Sequence, residues 1–181
     1  MERNRLQGSV VPFARRWHVI QEIDLVRRIG EHRRRAALCN RLEAVADRLP
    51  DRPAPDEAAA IERALAAVVE RDERDEIALL RAMLLHGPVQ PLARSLIDHI
   101  RRRHASDAAA AQELTAALQP TAARDPVPSA ETLGHMLRGF FTGCRRAIDF
   151  EQLTILTLAG HRLTPDARAL LVDALSANLS D

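Results

Sequence analysis

Four side chains capable of acid–base or metal chemistry sit on stripes that are otherwise apolar. His32, Asp75, His104 and Glu151 each fall on the inward stripe of a different helix-length segment. An imidazole or carboxylate buried at such a position costs several kcal/mol unless it is paired or ligates an ion. The spacing repeats: His32 and Asp75 are 43 residues apart, and His104 and Glu151 are 47 apart. Two similar helix pairs would bring all four groups near one level of the molecule. Two imidazoles and two carboxylates form a mixed N/O set that suits one Zn, Mn or Fe ion. These four are therefore the candidate metal site, with a short donor list.

The segments that must position them read as helices. Trp17 to about Leu49 places Leu25, Ile29, His32, Ala36, Cys39 and Ala46 inward at spacings of three and four, flanked by Leu38, Leu42 and Val45. The prolines at 50, 53 and 55 end that helix, because each lacks an amide donor and pushes its predecessor out of the α region. A second helix is expected from Pro55 or Asp56 to about Leu85, with Ile61, Leu65, Val68, Asp75, Leu79 and Ala82 inward, stopped by Gly87-Pro88. The third is expected from about Val89 to Leu118 on Leu96 or Ile97, Ile100, His104, Ala108, Ala111, Leu114 and Leu118. The fourth follows a Pro-rich loop, is capped by Ser129 and runs to about Ala159. Its inward residues are Leu133, Leu137, Phe140, Cys144, Ala147 or Ile148, Glu151, Ile155 and Leu158. Thr164-Pro165-Asp166 starts a short fifth helix to Leu175. Four helices of about thirty residues are each about 45 Å long, and their short loops favour up-down-up-down packing. The expected fold is all-α, an antiparallel four-helix bundle over residues 17–181 with a short C-terminal fifth helix, preceded by a flexible arm at 1–16.

Composition narrows the function. The chain has 181 residues, enough for one domain whose core needs no metal or disulfide to fold. Lys+Arg number 26 against 25 Asp+Glu, so no global field draws in nucleic acid or an anionic membrane surface. Aromatic residues do not interleave with the basic ones, which removes the stacking platform that single strands use. No segment reaches bilayer-spanning length without charge and no signal-peptide pattern opens the chain, so a cytoplasmic protein is expected. Phosphate-binding glycine loops, nucleophile elbows and dinucleotide fingerprints are missing, and no enzymatic activity is expected. Cys39 and Cys144 lack zinc or C-x-x-C spacing and read as reduced thiols. Cys39 follows His32 by seven residues and Cys144 precedes Glu151 by seven, so antiparallel first and fourth helices would make them face each other. Two small buried hydrophobes are the plainer reading and a redox pair the sharper one.

The run Ile29-Gly30-Glu31-His32-Arg33-Arg34-Arg35-Ala36-Ala37-Leu38-Cys39, then Leu42 to Asp47 and Ile148 to Asp166, resembles the hemerythrin-like (HHE, cation-binding) domain family in a form common in bacteria. The resemblance covers about Asp24 to Leu175. It implies a four-helix bundle in which each half supplies a His and a later His-x-x-x-Glu, followed by an apolar pair and a Pro, to two non-haem irons. Here Arg71 and Ala147 stand where the resemblance puts the second histidines, and Arg81 and Thr157 stand where it puts the prolines. His32 and His104 match its ligand positions, and Asp75 and Glu151 keep its carboxylates.

Two functions follow from that mixture. In the first, the chain is a degenerate hemerythrin-like domain without a complete di-iron site and without a cofactor, acting as a structural, regulatory or partner-binding bundle. Arg71, paired with Asp75, Asp107 or Glu151, then supplies the charge that iron would. In the second, His32, Asp75, His104 and Glu151 hold iron or another divalent metal, for oxygen or iron sensing, storage or redox response. The expected partner is an unidentified protein or a second copy of the chain, met through Ala169, Leu170, Val172, Ala174 and Leu175. His18, His86, His99, His135 and His161, and the runs Arg33-Arg34-Arg35 and Arg101-Arg102-Arg103, read as solvated surface.

Overall fold

The structure, a computed structural model, describes residues 13–70, 73–85, 90–118 and 127–178. All the regular structure in them is helical: α1 (Phe13–Arg48), α2 (Pro55–Val69), α3 (Glu73–Leu84), α4 (Gln90–Leu118), α5 (Ala130–Ala159), a 3-10 turn at Gly160–Arg162, and α6 (Pro165–Asn178). Helix α1 begins at Phe13, so residues 13–16 of the expected arm are helical, while residues 1–12 lie outside the described residues.

The expected second helix is divided. Helix α2 ends at Val69, where the Glu70 N–H donates to the Ala66 carbonyl at 2.9 Å, and α3 starts at Glu73. No Gly or Pro marks the division. Residues 70–76 are instead seven consecutive charges, Glu-Arg-Asp-Glu-Arg-Asp-Glu, with no apolar side chain to press on the core and hold one helical phase across them. The inward set therefore shifts: among the described residues after Val68, the buried ones in this arm are Glu76, Ile77, Leu80, Met83 and Leu84, whereas the expected Leu79 and Ala82 are half-buried.

The helix ends follow local chemistry. Pro55 opens α2 with Asp56 and Glu57 in its first turn, where carboxylates meet the positive end of the helix dipole. Glu57 also pairs with Arg48 Nη2 at 2.5 Å across the α1–α2 loop, and Arg52 Nη2 donates to the Pro128 carbonyl at 2.8 Å, tying that loop to the start of α5. Ser129 Oγ accepts from the Thr132 N–H at 3.1 Å. Replacing Ser129 by Ala is expected to lower stability by about 1 kcal/mol, measured by urea denaturation, with Ser129→Asp restoring most of it. After α5, Arg162 Nη1 donates to the Met83 carbonyl at 2.7 Å and Arg168 Nη2 to the Gly160 carbonyl at 2.6 Å. Carbonyls at helix ends thereby gain the partners they lack inside a helix.

Helix α1 packs chiefly against α5, α2 and α3 against α4, and α4 against α5, with α6 on α5 and α1. The core forms two apolar clusters. One takes Leu38 to Ala46 of α1, Ile61 to Val68 of α2, Ala111 to Leu118 of α4 and Leu133 to Ile148 of α5. The other takes Leu25 and Ile29 of α1, Ile77 to Leu84 of α3, Ala93 to Ile100 of α4, Ile155 and Ala159 of α5, and Ala167, Leu171 and Ala174 of α6. Ala174, expected at a surface for a second copy, therefore belongs to the core, while Val172 is exposed. Between the clusters lies a buried layer of Arg28, His32, Arg35, Glu76, His104, Asp107, Glu151 and Gln152.

Candidate functional site

Each side of the polar layer is supplied by a short stripe. Arg28, His32 and Arg35 lie at spacings of four and three on α1, His104 and Asp107 at three on α4, and Glu151 beside Gln152 on α5. Glu76 enters from the first part of α3, which the α2–α3 division brings into phase. Glu151, 1 % exposed, is the centre. Its Oε1 accepts from Arg28 Nε and lies 3.3 Å from His32 Nε2. Its Oε2 lies 3.5 Å from His104 Nε2 and 4.0 Å from Arg35 Nη2.

Glu76 closes the layer. Its Oε1 is 2.5 Å from Arg28 Nη1, and its Oε2 is 3.4 Å from His104 Nδ1. Arg28 and His104 thus each span the same two carboxylates, and the four groups make a ring. Asp107 is held separately by Arg103 Nε at 3.0 Å. Arg103 lies so close over α5 that a Cβ on Gly143 would meet its Nη2 at 2.0 Å, so any larger residue there would make the guanidinium shift.

The protonation states follow from the contacts. Burial alone would raise the Glu151 carboxyl, but the Arg28 charge, then His32, then hydrogen bonds from both imidazoles outweigh it, and the group is held well below the usual carboxylate range. Burial opposes the Arg28 charge too, yet Glu151, Glu76 and Glu31 more than offset it and hold the guanidinium protonated. Burial pushes the His32 imidazole down, against the pull of Glu151, and the Arg35 and Arg28 charges add to the push. His32 is therefore neutral. Gln152 Nε2, which can only donate, is 3.1 Å from His32 Nδ1, so Nδ1 accepts and the ring proton sits on Nε2, directed at Glu151.

Of the four residues expected at a metal site, His32, His104 and Glu151 come together around Glu151. The backbone of Asp75 is in α3 and its side chain lies outside the described residues, as does Arg71. Among the described residues, the α3 carboxylate in the layer is Glu76, and the guanidinium between it and Glu151 is Arg28. Ala147, half-buried, lines a cavity of about 280 Å³ together with His104 and Phe150. Arg35 corrects the expectation of a solvated Arg33-Arg34-Arg35 run: Arg33 and Arg34 are exposed, but Arg35 is only 5 % exposed. His99, His135 and His161 are exposed as expected, and the side chains of His18 and His86 lie outside the described residues.

Cys39 and Cys144 do meet across the α1–α5 interface, fully buried. Their mutual hydrogen bond, with burial, pushes the Cys39 thiol well above its ordinary value. A thiol so held is a poor nucleophile. Among the described residues, no group of three or more His, Cys, Asp and Glu side chains is arranged to hold a metal ion.

The donor set fits a metal poorly. The Nδ1 lone pair of His32 is taken by Gln152 and its Nε2 carries the proton. Glu151 and Glu76 face Arg28, and together with Arg35 the two guanidiniums balance the two carboxylates. A divalent cation would add two positive charges beside guanidiniums that already balance the Glu76 and Glu151 carboxylates. Compared with models of protein families, with curated proteins and with solved structures, the chain matches none.

Proposed function

We propose that this chain is a metal-free, degenerate hemerythrin-like domain, an up-down-up-down antiparallel four-helix bundle with α2 and α3 forming the second arm and α6 the added helix. Its role is structural, regulatory or partner-binding. The observation that carries the reading is Arg28, whose guanidinium lies between Glu151 and Glu76 where a metal between those carboxylates would otherwise hold them together. The topology is supported by the order of the two apolar clusters, which reverses from α1 to α2–α3, again to α4 and again to α5. Successive arms running in opposite directions produce that alternation.

Among the described residues no helix is long and apolar enough to cross a membrane, which agrees with a bundle that carries no span. A cytoplasmic setting and a protein partner or second copy belong to the same proposal.

A second reading, a single-metal site for oxygen or iron sensing, storage or redox response, draws on one observation: two imidazoles and two carboxylates share the layer. It requires Arg28 to leave and the His32 proton to move. Elemental analysis and an absorption spectrum of protein expressed with iron supplied separate the two. The metal-free reading expects no stoichiometric iron, zinc or manganese and no oxo-iron absorption. One full equivalent per chain, lost on His32→Ala, would reverse the order.

A further inference from the structure

The buried layer opens on one side into a cleft of about 800 Å³ between α1 and the α2–α3 arm. It exists because α1 turns its main contact face to α5 while α3 packs against α4 and α5. The volume falls in the range of small-molecule sites, which run from about 300 to 1,000 Å³.

Its α1 wall is arginine-rich in two rows: Arg28 and Arg35, seven residues apart and buried, and Arg27, Arg34 and Arg41, also spaced by sevens and exposed. Among the described residues, two carboxylates line the cleft with them, Glu31 and Glu76. Glu76 is engaged by Arg28 at 2.5 Å. Glu31 is shared among Arg27 at 3.6 Å, Arg34 at 3.8 Å and Arg28 at 3.9 Å, none of which is a hydrogen-bonding distance. Among the described residues these five guanidiniums face Glu31, Glu76 and, from the layer behind them, Glu151, which leaves an excess of two positive charges.

A second observation is independent of that count. Arg35 is 5 % exposed, yet its Nε and Nη2 have no hydrogen-bond acceptor, and Arg28 Nη2 has none either. Buried donors without acceptors are costly, and a planar guanidinium is built to grip two oxygens of one anion. The opposite wall, from α2 and α3, is apolar: Val68 and Leu79 with small alanines at 64, 67, 78 and 82, which leave the room that larger side chains would fill, and Leu38 adds an apolar patch at the end of the α1 wall.

We propose that this cleft binds a small amphipathic anion, a carboxylate or phosphate monoester head on an apolar body. The head lies against Arg35 and Arg28, and the exposed row of Arg27, Arg34 and Arg41 attracts it to the mouth. The body lies over Leu38, Val68 and Leu79. This goes beyond the bundle's proposed role and does not depend on it.

Isothermal titration of the full chain with decanoate and with decyl phosphate, each below its micellar concentration, tests the proposal. Binding of either, one per chain, is expected, and the tighter of the two identifies the head group. Decyltrimethylammonium, with a similar chain and the opposite charge, and inorganic phosphate, with no chain, should bind at least about tenfold more weakly. Two variants leave the core layer untouched: the exposed pair Arg34→Glu with Arg41→Glu, and Ala67→Phe on the opposite wall. Each should weaken the anion at least about tenfold while helical circular dichroism is retained. Failure of both anions to bind in the millimolar range, equal binding of the cation, or unchanged affinity in both folded variants would overturn it.

Discussion

Replacing Glu151 by Ala is expected to destabilise the fold by about 3–5 kcal/mol, because it strips the carboxylate from between two buried guanidiniums and two imidazoles. That is a large part of the roughly 5–15 kcal/mol by which single domains are stable. Arg28 would keep only Glu76 and the more distant Glu31, and Arg35 would keep no carboxylate of the layer. Glu151→Gln tests charge apart from shape, since it retains a carbonyl acceptor for Arg28 Nε and loses the rest. Replacing Arg28 by Met and Glu151 by Leu together removes one matched pair but also takes Arg28 from Glu76 and Glu151 from Arg35, so it should recover only part of the loss. Chemical denaturation at neutral pH measures all three. A loss below about 1 kcal/mol for Glu151→Ala, the size of an ordinary point substitution, would mean that the layer is not what joins the two apolar clusters.

Acidification should weaken the fold in two stages, both with the same sign. His32 is held below its ordinary value in the folded chain, so below about pH 6.5 the unfolded chain takes up a proton that the folded chain refuses. The unfolded state binds more protons, stability rises with pH, and the His32 contribution declines from pH 6.5 down to its depressed folded value. Glu151 acts likewise at lower pH: its contribution is complete above about pH 4.3 and is lost as pH falls toward its folded value, well below. Each group in its window contributes a slope of up to about 1.4 kcal/mol per pH unit. Denaturation midpoints between pH 8 and pH 3 should therefore fall first below 6.5 and again below 4.3, and His32→Gln should flatten the upper stage while sparing the lower. A flat profile from pH 8 to pH 5 in the parent chain would show that His32 is not buried as a neutral imidazole.

Much of the helical register was readable from the chain. Leu25, Ile29, His32, Cys39 and Ala46 of α1 are buried as their spacing requires, and so are Leu133, Leu137, Phe140, Cys144, Ile148, Glu151 and Ile155 of α5. Arg28 and Arg35 were equally legible by position. Leu25, Arg28, His32, Arg35, Cys39, Leu42 and Ala46 alternate three and four apart without a fault, and all seven are buried. What concealed the two arginines was residue type, because arginine is almost never fully buried unless it is paired. The partners that pair them are 123 and 116 residues away for Glu151, and 48 away for the Arg28–Glu76 contact, beyond any local pattern.

The sequence by itself determined that the regular structure is helical, where most helices start and stop, and that histidines and carboxylates must share the interior with leucines. Those properties are local: amide donors missing at prolines, caps such as Ser129, and a periodicity close to 3.6. Tertiary structure decided which charge meets which. The charged run at 70–76 carries no apolar residue to fix its phase, so only packing of α3 against α4 and α5 settles that Glu76 faces the layer. With Glu76 on one side and Glu151 on the other, Arg28 becomes the cation between them. A side chain that looks like surface along the chain is, in the fold, the charge that joins the two halves of the core.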